Sequence, residues 1–83
     1  MTGTVRVRFF ARYAELAGCA TTSVELPLPA TVDDVVSRLQ ETLPAVRGLP
    51  DHPLVAINLK HARSGSPVRD GDEVAFLPPM SGG

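Results

Sequence analysis

Only one long stretch of this chain repeats its apolar residues at a helical interval, and it lies between stretches that alternate. Val32, Val35, Val36, Leu39 and Leu43 fall on one helix face. Thr31 is a natural N-cap, and Asp34 three residues on makes a capping box with Asp in place of Glu. Asp33 and Asp34 also sit where a helix dipole favours negative charge, and Pro44 stops the helix. A single helix of this kind must bury its one stripe against something, and the flanking segments supply a sheet.

Those segments have a period of two. In residues 4–10, Val5, Val7 and Phe9 alternate with Arg6, Arg8 and Phe10. In residues 23–28, Val24, Leu26 and Leu28 alternate with Ser23, Glu25 and Pro27, and the proline marks an edge or a strand end. Residues 54–59 place Val55, Ile57 and Leu59 on one face, and residues 73–77 form a last strand launched by the Asp70-Gly71 turn. Arg12–Ala17 tolerates a short helix that Gly18 can end. Residues 43–53, with Pro44, Pro50 and Pro53, read as a loop, and residues 60–67 as a polar connection. The expected fold is α+β: a mixed sheet with one main helix packed across it, its first and last strands side by side in the middle.

Eighty-three residues make one domain, over 1–78, with a tail at 79–83. A chain this size buries roughly 60–65% of its unfolded surface, which leaves room for one modest core and no large cleft. Eight basic and nine acidic residues disfavour a nucleic-acid or anionic-membrane role, which wants a basic face. No apolar run approaches the roughly 20 residues of a membrane span. The start is not basic-then-apolar like a leader, so the cytoplasm is the expected compartment. Cys19, the only cysteine, excludes an internal disulfide and a four-thiolate metal site, and no motif ties it to His52 or His61. It reads as a small side chain after a turn. The Asp33-Asp34 pair is accounted for by capping, and no metal site or phosphate-cradling glycine loop is seen.

What remains is the terminus. The chain ends Phe76-Leu77-Pro78-Pro79-Met80-Ser81-Gly82-Gly83. Gly82 and Gly83 lack a Cβ, so they can thread a passage too narrow for other residues, with the terminal carboxylate as the one reactive group presented. Two prolines after a strand make a projecting arm. A frayed tail is the plainer alternative.

Three stretches, residues 5–18 (VRVRFFARYAELAG), the helix from Thr31, and residues 70–83 (DGDEVAFLPPMSGG), resemble the MoaD/ThiS family of sulfur carriers. The likeness spans essentially the whole chain and is nearest to the small subunits of molybdopterin synthase. The chain departs at Met80, where similar proteins often have Val, and in its proline-rich loop before Pro53. The resemblance implies a ubiquitin-like β-grasp fold and a carrier cycle. An adenylating enzyme consumes ATP to join AMP to the Gly83 carboxylate. A persulfide donor then replaces AMP to leave a thiocarboxylate. The sulfur passes to a pyranopterin precursor held by the large subunit of molybdopterin synthase. The chain itself binds no cofactor, and it acts as a sulfur-donor subunit without catalytic groups of its own.

Strand parity locates a docking surface. With Val5, Val7, Phe9, Val74 and Phe76 facing the helix, Phe10 and Leu77 face away, beside the tail. The expected partner contacts are therefore Phe10, Leu77, Pro78, Pro79, Met80 and Ser81, with polar help from Arg6, Arg8 and Arg12. Lys60, the only lysine, reads as a solvated loop residue, with an isopeptide acceptor as the alternative. The same tail would serve a carrier for thiamin, cysteine or tRNA thiolation, or a ubiquitin-like protein modifier. An inert binding module of the same shape is the remaining alternative.

Overall fold

The alternation of apolar residues with arginine becomes strand β1 (Thr2–Phe9), in which Val5, Val7 and Phe9 are buried while Arg6 is exposed. The computed structural model describes residues 1–48, 54–63 and 65–77, with the side chain of Ala45 excepted. After β1 come helix α1 (Arg12–Ala17), strand β2 (Thr21–Pro27), the two-residue strand β3 (Ala30–Thr31) and helix α2 (Val32–Thr42). A 3₁₀ turn (Pro44–Gly48) leads on to β4 (Leu54–Ile57), β5 (Lys60–Ala62), β6 (Pro67–Val68) and β7 (Glu73–Leu77).

The main sheet has the order β2-β1-β7-β4-β5. Its outer pairs are antiparallel, and β1 and β7 run parallel at its centre, with Val7 opposite Val74 and Phe9 opposite Phe76. The expected mixed sheet, with first and last strands adjacent in the middle, is the observed one. Val74, Ala75 and Phe76 are all buried, with Ala75 on the face opposite the other two, between Arg8 of β1 and Ala56 of β4.

Helix α2 lies across one face and buries Val32, Val35, Val36 and Leu39. Its start is the anticipated capping box, in which the Thr31 N–H donates to the Asp34 carboxylate at 2.8 Å. Gly18 ends α1 at φ 78, as expected, and Gly71 turns into β7 at φ 86. The core between helix and sheet contains Val5, Val7, Phe9, Leu26, Leu39 and Phe76, and the Phe9 and Phe76 rings stack with centroids 5.9 Å apart.

Four expectations are corrected. Strand β1 ends at Phe9, so Phe10 stands just beyond the ladder. The strand over 54–59 ends at Ile57, because Asn58 and Leu59 take φ 50 and 72 in the hairpin turn to β5. Leu59 is therefore 84% exposed and not on the core face. The polar connection over 60–67 contains β5, and β6 pairs with β3 in a small second sheet. The loop after Pro44 holds the 3₁₀ turn, whose Val46 is fully buried. Pro50 and Pro53 lie outside the described residues.

The Asp-Gly-Asp-Glu turn acts as a brace for the sheet centre. Asp70 accepts the Thr4 N–H at 2.8 Å, and Asp72 accepts from the Asn58 amide at 2.9 Å and the Arg69 N–H at 2.8 Å. Asn58 in turn accepts the Glu73 N–H at 3.0 Å. The start of β7 is thereby tied to both β1 and the β4–β5 hairpin.

Denaturant unfolding of single variants checks this assignment. Phe76→Ala is expected to lose about 3–5 kcal/mol through the cavity it leaves, whereas Phe10→Glu should stay within about 0.5 kcal/mol of the parent. A Phe10→Glu protein as unstable as Phe9→Glu would mean the strand phase is wrong. Asp72→Ala should cost about 1–2 kcal/mol, since it removes an acceptor that two donors share.

Candidate functional site

The parallel pairing of β1 and β7 decides which residues share the edge at which β7 ends. Both strands run toward the same edge of the sheet, so Phe10 emerges level with the end of β7. Strand β4 runs the other way and sets Leu54 directly opposite Leu77. Phe10, Leu77 and Leu54 thus gather on the face away from α2, at the edge where the chain leaves β7 for residue 78. Phe10 is 37% and Leu54 46% exposed, while Leu77 is half-buried. Further along this face the floor is small and closed: Ala56 pairs with Ala75, and both are buried. A flat floor of alanines lets another surface approach closely.

Charge borders the patch on one side. Glu73 receives Arg6 at 3.3 Å and Arg8 at 3.6 Å, and the Arg8 guanidinium lies 5.1 Å from the centre of the Phe10 ring. Arg6 and Arg8 keep much of their side chains in water, so these pairs contribute little to stability, on the order of 0–1 kcal/mol each. Their effect is on placement. Arg8 is held between a carboxylate and an aromatic face, which keeps a cation beside the apolar cluster. Arg12 is exposed at the start of α1.

Leu77 faces away from α2 by strand parity, as expected, and Phe10, just beyond the end of β1, lies beside the Arg8 guanidinium of that same face. Leu54 was missed. Its phase is opposite to Val55, but its place beside Leu77 depends on the β4–β7 register, which no local pattern contains. Pro78, Pro79, Met80, Ser81, Gly82 and Gly83 lie outside the described residues, as does the boundary between the domain and its tail.

Asp34 is committed to the α2 cap. A groove between β2 and α2, lined by Leu26, Pro29, Asp34, Arg38 and Glu41, has its one further acid paired to Arg38 at 3.3 Å. Cys19 is half-buried against the core. His61 is exposed on β5, opposite Ala56, and Lys60 is exposed beside it. Among the described residues no three His, Cys, Asp or Glu side chains cluster as metal ligands. No helix among them is long and apolar enough to cross a membrane.

Comparison with known proteins agrees with this geometry. The chain is 32% identical over 81 residues to the molybdopterin synthase sulfur carrier subunit of Chlamydomonas reinhardtii, covering 95% of this chain and 98% of that protein. It is 35% identical to the subunit of the same name from Escherichia coli, over 95% of this chain and 99% of that one. The crystal structure of small archaeal modifier protein 1 from Haloferax volcanii superposes with a TM-score of 0.85 at 36% identity, covering 98% and 100% of the two chains. The profile of the ThiS family matches residues 7–83. A β-grasp sheet crossed by one helix, and sequence likeness over nearly its full length, place this chain in the MoaD/ThiS family of ubiquitin-like sulfur carriers.

Proposed function

We propose that this chain is the sulfur carrier subunit of a molybdopterin synthase, with the carboxylate of Gly83 as its working group. The observation that carries the reading is the apolar cluster of Phe10, Leu54 and Leu77 at the edge where β7 runs toward residue 78. A partner seated there stands next to the departing terminus. The likeness to two proteins named as molybdopterin synthase sulfur carrier subunits supports the choice of acceptor pathway.

The chemistry follows from what a carboxylate can do. A Gly83 oxygen attacks the α-phosphorus of ATP in an adenylating enzyme, and pyrophosphate leaves. The acyl-adenylate is now an electrophile with a stable leaving group. The terminal sulfur of a persulfide attacks the carbonyl, AMP departs, and an acyl disulfide forms. A second thiol takes the donor sulfur into a new disulfide and releases the thiocarboxylate. That sulfur is a nucleophile for a pyranopterin precursor bound by the large subunit. Acid–base groups come from the partners, and ATP is consumed by the activating enzyme. On this reading Gly82 and Gly83 enter the partner's passage, and Pro78, Pro79, Met80 and Ser81 are partner contacts.

A second reading has its own support, in the likeness to small archaeal modifier protein 1. In a protein modifier the activated Gly83 carbonyl is attacked by an amine and forms an isopeptide. Intact-mass measurement separates the two. With ATP, an adenylating enzyme and a persulfide source, the carrier reading predicts a mass increase equal to sulfur replacing oxygen, confined to the last peptide. An unchanged mass alongside a ladder of conjugates would favour the modifier.

Two sets of variants test the division between tail and face. Removing Gly83 should abolish sulfur transfer with stability unchanged within about 0.5 kcal/mol, and Gly82→Val should impair transfer through its β-branch. Phe10→Glu and Leu77→Glu should weaken binding to the large subunit by about 10- to 150-fold, the equivalent of roughly 1.5–3 kcal/mol of lost apolar burial. Wild-type affinity in both would remove the docking face from the reading.

A further inference from the structure

Ala11 occupies a backbone conformation that belongs to glycine. Its φ is 51° and its ψ −128°, and the Tyr13 N–H donates to the Phe10 carbonyl at 3.0 Å. Those angles and that bond define a type II′ turn with Ala11 at the first central position, where glycine is the usual occupant. The turn gains nothing visible from the alanine methyl. Ala11 is exposed, and as the residue before α1 it makes no side-chain cap. Among the described residues the other positive-φ positions are Gly18 and Gly71, and Asn58 and Leu59 in the β4–β5 hairpin. An outlier that persists is held by its surroundings, and it clusters where geometry matters.

What this outlier governs is the residue before it. Strand β1 ends at Phe9, so ladder hydrogen bonds no longer aim Phe10. The II′ turn does that instead. It reverses the chain immediately after Phe10, and its closing bond is made by the Phe10 carbonyl itself. The Arg8 guanidinium over the ring then completes the placement. On the α2 side Tyr13 is buried two residues later, which pins the far end of the turn. With both ends pinned, the sign of φ at residue 11 sets the direction in which Phe10 leaves the sheet.

We infer that Ala11 is a positioning residue: its positive φ puts Phe10 on the open face of the sheet, under the Arg8 guanidinium and level with the end of β7. The inference rests on reading that face as the docking surface of the carrier. It adds a residue that touches no partner and still sets affinity.

A double-mutant cycle tests it, with the large molybdopterin synthase subunit of the same organism as the binding partner. Phe10→Ala alone should weaken binding about tenfold or more. Ala11→Val, whose β-branch resists positive φ, should weaken binding about five- to tenfold while the protein stays folded by circular dichroism. Combined with Phe10→Ala, it should add almost nothing, because the side chain it misplaces is already gone. Ala11→Gly tolerates the turn, so it should bind within about twofold of the parent. D-alanine at position 11, introduced by chemical synthesis, favours positive φ and should raise Tm by several degrees with affinity kept. Full additivity of Phe10→Ala and Ala11→Val overturns the inference, as does a more stable D-alanine protein that has lost affinity tenfold. Unaltered binding by Phe10→Ala overturns the docking face itself, and the inference falls with it.

Discussion

The parallel pairing of β1 with β7 is the constraint from which the rest follows. Parallel neighbours cannot be joined by a tight turn, so nearly the whole chain is strung between them: α1, β2, α2, β4 and β5. The pairing places the first and last strands at the sheet centre, where both inner faces are closed by α2. It also makes both strands end at one edge. An antiparallel β7 would carry the chain out at the opposite end from Phe10. Here an apolar cluster and the departing terminus share an edge because of strand direction alone.

Two devices hold that pairing in register. On the core side the Phe9 and Phe76 rings stack across the strand pair, and each is almost wholly buried. At the other end Asp72 and Asn58 tie the start of β7 to the β4–β5 hairpin, and the Arg6 N–H donates to the Asp72 carbonyl at 2.9 Å. The energies are unequal. Aromatic burial is worth several kcal/mol, whereas the exposed polar bonds contribute about 0.5–1.5 kcal/mol each. The polar bonds are directional, and a one-residue slip would turn Phe76 and Val74 outward. Burial supplies the stability and the brace specifies the register.

Much of this was legible in the sequence because it is local. The period of α2, its capping box and the phase of β1 each depend on neighbours within four residues. Phe10 and Leu77 were assigned to the open face by parity alone. What escaped the sequence is non-local or too short to have a period. Strands β3 and β6 have two residues each, β5 has three, and none shows an alternation. Leu59 continued the apolar phase of β4, but Asn58 accepts positive φ and has Asp72 as a partner, so the chain turns first. Leu54 needed the β4–β7 register. Val46 needed the 3₁₀ turn that carries it into the core. The reading of residues 78–83 as a reactive tail falls outside the described residues.

The size of the open face bears on how a carrier of this kind works. Phe10, Leu54 and Leu77, if fully buried by a partner, contribute at most about 1.5–3 kcal/mol each. Association itself costs roughly 4–15 kcal/mol in lost freedom. On the proposed reading the face is not enough to hold a partner tightly alone, and contacts along residues 78–83 supply the balance. On the proposed cycle this suits a chain that must visit an adenylating enzyme, a sulfur donor and an acceptor in turn. A partner able to seat the tail is held, and one that cannot is released quickly. Affinity is then coupled to correct placement of the Gly83 carbonyl, and the scaffold needs no catalytic side chain to make that coupling.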